Sequence, residues 1–126
     1  MKLRIKGNSL RLRVSPSEMT SLFDNGRIEE TIHFAPSEGA ELTYALELGE
    51  LAPEMATRFQ PGQVTVIVPT LEAQAWAASD QVGIYGSVLA GDARLELTVE
   101  KDFACLDKSE ADNHDAFPNP KQGAVC

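Results

Sequence analysis

Long apolar runs are missing from this chain. No stretch approaches the ~20 consecutive apolar residues that a membrane-crossing helix needs, so no transmembrane helix is expected. The opening MKLRIKGNSLRLRV alternates instead of forming a continuous apolar segment, which argues against a secretory leader and for a cytoplasmic location. Cysteine is scarce too: Cys105 and Cys126 are the only two, too few for a disulfide scaffold. They are expected as reduced thiols or as partners in a ligand site. Also absent are a Gly-rich phosphate loop before a helix, G-x-S-x-G, H-E-x-x-H and a dinucleotide fingerprint. The common nucleotide-dependent and hydrolase mechanisms therefore lack support.

What is present is the composition of one globular domain. The chain has 126 residues, 43% apolar and 24% charged, enough to bury roughly two-thirds of its unfolded surface. The net charge of −8 disfavours non-specific binding to nucleic acid or to anionic membranes. That charge is uneven: Lys2, Arg4, Lys6, Arg11 and Arg13 crowd the start, and acids are dense from Asp102 to Asp115. A basic opening and an acidic tail are expected to pair within the fold.

Residues 2–6 and 9–14 alternate with the period of half-buried strands, and Gly7-Asn8 between them suits a tight hairpin. Ser15-Pro16-Ser17-Glu18 reads as a capping box with proline in the first turn. Met19, Leu22 and Phe23 form the buried stripe of the helix that follows, and Asn25-Gly26 ends it. Strands are predicted at 27–34, with Ile28, Ile32 and Phe34 inward, and at 41–48. Leu51, Met55 and Phe59 stand at helical spacing and predict a short helix or turn over 50–60. A strand through Val64, Val66 and Val68, a helix with Leu71, Ala75 and Trp76 inward, and strands at 82–88 and 94–100 complete the chain.

Residues 10–30 align with 64–84 without a gap, at an offset of 54. Strand, helix stripe and next strand coincide, predicting a β-α-β-β unit used twice after one extra N-terminal strand. The expected fold is α+β. It is an antiparallel sheet of about seven strands with two helices on one face, open or curled into a partial barrel. The expected division is 1–49 for the hairpin and first unit, 50–102 for the second unit and 103–126 for an acidic tail, all in one domain. The blocks MKLRIKGNSLRLR, WAASDQVGI, LELTVEKDFACL and DAFPNP, in that order, resemble a small bacterial family known only as a domain of unknown function. The resemblance spans nearly the whole chain and implies a self-contained domain; it brings no activity, cofactor or catalytic residue with it.

Two places carry candidate chemistry. On a single sheet, Arg4, Lys6, Arg11 and Arg13 would share the polar face with Glu29, Glu96 and Glu100. The cations would grip an anion such as a polyphosphate, and the carboxylates would hold a divalent metal. Such a face is similar to the tunnel lining of the triphosphate-tunnel phosphohydrolases, although the order of strand motifs differs and their opening acidic signature is absent. The plainer account is a solvated face with cross-strand ion pairs. The second place is the tail, where Cys105, Asp112, His114, Asp115 and Cys126 offer metal-ligand chemistry without any C-x-x-C pair. Its plainer account is an irregular segment anchored by Phe103, Leu106 and Phe117. A nucleophilic Cys105 would need a neighbouring cation, since its sequence neighbours are acidic.

The leading expectation is thus a small non-catalytic module that binds a small ligand or a protein, as a monomer or homodimer. One alternative is a metal-dependent enzyme acting on a phosphorylated or anionic substrate at the charged face. Another is a structural metal clip in the tail.

Overall fold

The computed structural model describes residues 1–104 and 115–118. Ten elements follow in the order β1 (Lys2–Lys6), β2 (Ser9–Val14), α1 (Pro16–Asn25), β3 (Arg27–His33), β4 (Glu41–Gly49), β5 (Ala56–Gln60), β6 (Gln63–Pro69), α2 (Thr70–Ala77), β7 (Gly83–Ala90) and β8 (Ala93–Lys101). Both halves of the chain run strand, strand, helix, strand, strand.

The local signals act as their chemistry requires. Gly7 turns the first hairpin with φ of 55°, a left-handed value that costs glycine nothing. The Ser15 hydroxyl accepts from the Glu18 amide, and the Glu18 carboxylate accepts from the Ser15 amide. Helix α1 buries Met19 and Leu22 and ends at Gly26 in the left-handed conformation. Helix α2 buries Ala73 and Trp76, while Leu71, expected inward, is exposed. The Trp76 indole N–H donates to the Val82 carbonyl at 3.1 Å, satisfying the one polar atom of a fully buried ring.

A single seven-stranded antiparallel sheet does not form. Among the described residues, eight strands make two four-stranded sheets, ordered β1-β2-β8-β7 (sheet A) and β3-β4-β6-β5 (sheet B), and neither is curled into a barrel. Each half gives one hairpin to each sheet, because its helix carries the chain from one sheet to the other. The halves join through parallel pairs, β2 with β8 and β4 with β6, at the centre of each sheet. Alternation records which way a side chain points but not which strand lies beside it, so this exchange left no trace in periodicity.

The expected helix or turn at 50–60 is also corrected. Residues 56–60 are strand β5, paired antiparallel with β6 through a Pro61-Gly62 turn. Leu51 (97% exposed) and Phe59 (73%) do not share a buried face with Met55, so the helical spacing was fortuitous. Phe34 is likewise exposed beyond the end of β3. One core unites the two sheets: Leu12, Val14, Leu97 and Val99 from sheet A meet Leu46, Val66 and Val68 from sheet B around Trp76. Both sheets therefore turn their polar faces outward. Among the described residues, no helix is long and apolar enough to cross a membrane.

Candidate functional site: the basic face of sheet A

Strand register sorts the charged residues into two separate faces. On sheet A, Arg4 lies opposite Arg11 and Arg11 opposite Thr98, while Lys2 lies opposite Arg13 and Arg13 opposite Glu100. Strand β7 continues these rows with Tyr85 beside Thr98 and Gly83 beside Glu100. The four cations Arg4, Lys6, Arg11 and Arg13 therefore share one surface with Glu96 and Glu100. Glu29 does not: it stands on β3 in sheet B, where Arg27 holds it at 2.9 Å. Glu96 and Glu100 are four positions apart on one strand, roughly 13 Å between Cα atoms. The carboxylate trio expected to hold a metal is thus not brought together.

The two faces differ in how their charges are satisfied. On sheet B, Arg58 meets Glu47 with two hydrogen bonds of 3.0 and 3.1 Å. Arg27 reaches Glu47, Glu29 and the buried Thr65 hydroxyl. The Arg58 hydrogen bonds, with Arg27 adding to them, outweigh burial and hold the Glu47 carboxyl below its ordinary value. His33 pairs with Glu41 at 3.2 Å. Both arginines of that face are engaged.

On sheet A, Arg11 pairs with Glu100 at 3.2 Å and Lys2 with Asp102 at 2.9 Å. The Tyr85 hydroxyl donates to the other Glu100 oxygen at 3.1 Å. Burial, with the Glu100 charge beside it, pushes the Tyr85 phenol above its ordinary value. Gly83 makes room for this cluster. A Cβ there would stand 2.6 Å from the Val99 carbonyl oxygen, 2.8 Å from Glu100 Cγ and 3.1 Å from the Tyr85 hydroxyl. Among the described residues, Arg4, Lys6 and Arg13 have neither a carboxylate partner nor a side-chain hydrogen bond. They border two open hollows of about 210 and 280 Å³, one over Lys2, Arg4, Arg11 and Arg13 and the other over Arg4, Lys6, Ser9 and Thr98. Tyr85 and Gly83 were not expected at the site; only their alternation with Ser87 on a polar face marked them.

Of the tail ligands, Cys105, Asp112, His114 and Cys126 lie outside the described residues. Asp115 accepts from the Ser17 amide at 3.2 Å and from the Ser17 hydroxyl, at the first turn of α1. Phe103 and Phe117 pack edge to face at 6.0 Å, with Lys101 Nζ 5.6 Å from the Phe117 ring. Among the described residues no group of three or more His, Cys, Asp or Glu side chains is placed to hold a metal ion.

The chain is thus a small α+β domain of two sheets, one of which carries a basic face. Residues 1–121 match a family described as a family of unknown function, DUF7009, and the chain belongs to it. No curated protein and no solved structure matches the chain.

Proposed function

We propose that this domain is a non-catalytic binding module that takes an anionic ligand on the basic face of sheet A. The observation that carries the reading is the set of cations Arg4, Lys6 and Arg13, without side-chain partners among the described residues and beside open hollows, in a chain of net charge −8. Surface cations in an acidic protein ordinarily find carboxylates, as they do throughout the polar face of sheet B. Leaving three on one face gives a local positive field that attracts and orients an anion. The dispersal of Glu29, Glu96 and Glu100 favours binding over metal-assisted chemistry at this face. The same reading takes the two halves as copies of one unit, supported by their shared element order and the ungapped 54-residue offset.

A thermal-shift titration with tripolyphosphate tests it. A ligand at about a hundred times its dissociation constant adds roughly 2.7 kcal/mol, a rise of several degrees for a domain of this size. The rise should shrink in high salt and in the Arg4→Ala/Arg13→Ala variant. No rise at low ionic strength would remove the reading.

A further inference from the structure

The basic face ends at an open edge. Among the described residues strand β1 pairs with β2 alone, and one side of its backbone has no strand neighbour there. The two-residue Gly7-Asn8 turn makes Lys6–Ser9 the hydrogen-bonded pair that closes the hairpin, and such pairs alternate along an antiparallel ladder. Lys2, Arg4 and Lys6 therefore spend their backbone groups on β2, while Leu3 and Ile5 turn theirs toward the open edge. Side chains alternate in step. Arg4 and Lys6 rise on the polar face, and Ile5, on the apolar face, is 62% exposed.

We infer that β1 takes an extended acidic peptide segment as a fifth strand of sheet A, with alternate carboxylates on Arg4 and Lys6 and the intervening apolar side chains over Ile5. The inference rests on the anion-binding reading of this face and narrows its ligand class. Three features favour a peptide strand over a compact anion. Two of the three unpaired cations, Arg4 and Lys6, lie in a row along β1 instead of converging on one point. Their i, i+2 spacing of roughly 6.6 Å is the spacing of same-face residues on any neighbouring strand. An exposed isoleucine beside a free backbone edge asks for an alternating apolar partner, which an inorganic anion cannot supply.

Lysine on an edge strand has a second role in proteins, guarding the edge against pairing, and the experiment separates the two. The probe is a fluorescent peptide of about seven residues alternating Glu and Val, long enough for one strand, measured by anisotropy. Saturable binding is expected, with none for the Lys-Val counterpart. N-methylation of one alternate set of peptide nitrogens should abolish binding, and methylation of the other set should be tolerated. Arg4→Ala/Lys6→Ala should weaken it roughly tenfold, as two partly exposed ion pairs warrant. The amides of Leu3 and Ile5 should become protected from hydrogen exchange in the complex.

If tripolyphosphate binds but the peptide does not, or if both methylated peptides bind equally, strand addition is wrong while the anion-binding reading stands. If neither ligand binds the wild-type protein, both are wrong. If the Ala variant self-associates and the wild type takes no acidic peptide, the cations are edge guards and the inference is overturned.

Discussion

Among the described residues Arg4 has no side-chain partner, for a reason that sheet B makes visible. There, edge-strand Arg58 lies opposite Thr65, Thr65 lies opposite Ala45, and Glu47 follows Ala45 by two residues. In sheet A, edge-strand Arg4 lies opposite Arg11, Arg11 opposite Thr98, and Glu100 follows Thr98 by two. The two arrangements share their edge arginine and their diagonal glutamate. They differ in the residue between. Thr65 is short, so Arg58 crosses it to reach Glu47. Arg11 is long and cationic, blocks the crossing and takes Glu100 itself. Replacing Arg11 by Thr should therefore let Arg4 pair with Glu100.

The magnitude follows from the exposure of the pair. A partly exposed ion pair contributes about 0.2–1 kcal/mol, so a double-mutant cycle between positions 4 and 100 should give a coupling near zero in the wild type. In the Arg11→Thr background it should rise to about 0.5 kcal/mol. Urea denaturation followed by fluorescence of the single, fully buried Trp76 measures each corner. Tripolyphosphate affinity should fall in Arg11→Thr as far as in Arg4→Ala, and Glu100→Gln added to Arg11→Thr should restore part of it. Equal coupling in both backgrounds would refute the blocking argument.

Three further outcomes follow from the packing and the charges. Gly83→Ala should destabilise by about 1–3 kcal/mol, although relief of chain entropy alone would stabilise it by about 0.4–1 kcal/mol; with an m-value of about 1.5 kcal/mol per molar, its urea midpoint should drop by roughly 1 M, and a midpoint at or above wild type would show that the strands yield. Burial, together with the Glu30 carboxylate bonded at 2.7 Å, pushes the Tyr44 phenol up to about 12. Because the folded value exceeds the ordinary value of about 10, its stabilising contribution is complete below pH 10 and is lost between there and 12. Ultraviolet titration of Tyr85→Phe should show that late midpoint, and Glu30→Gln should bring it back toward 10. Trp76→Phe should cost about 2 kcal/mol and no more, because the Val82 carbonyl that loses the indole still accepts from the Lys101 amide at 3.0 Å; a circular-dichroism melt or denaturation showing a loss near that of Trp76→Ala, about 3–5 kcal/mol, would contradict this.

Elements governed by local chemistry were legible in the sequence: the first hairpin from strict alternation around Gly7-Asn8, and α1 from the Ser15/Glu18 box and Gly26. Strand β5 was hidden because Leu51, Met55 and Phe59 imitate a helix stripe, although Pro61-Gly62 between Gln60 and Gln63 was a turn signal. The membership of the basic face was legible as residue types. Which cations remain unpaired was not, since Arg11 meets Glu100 only because β2 lies beside β8, most of a chain length away. Glu29 was placed on the same face because one sheet was assumed where there are two. The amino terminus was missed altogether. The Met1 ammonium bonds to Glu18, which also caps α1, and lies 3.0 Å from Glu30. Tyr44 and that ammonium outweigh burial and keep the Glu30 carboxyl below its ordinary value.

The hairpin exchange also decides where charge survives. The basic opening strands and the acidic final strand would be a crude dipole if they lay apart, but the parallel β2–β8 pairing sets them side by side and consumes Arg11 and Glu100 in one another. The Lys2–Asp102 pair absorbs a further cation. Strand β1 has β2 as its one neighbour, and the residue β2 presents to Arg4 is another arginine. Positive charge is therefore left on Arg4 and Lys6 of the outermost strand as well as on Arg13 of β2, and among the described residues one backbone edge of that outermost strand has no strand beside it. A backbone edge and a charge row left without partners among the described residues, on the same strand, are separate consequences of one topology, and together they carry the proposal of a ligand that is both extended and acidic.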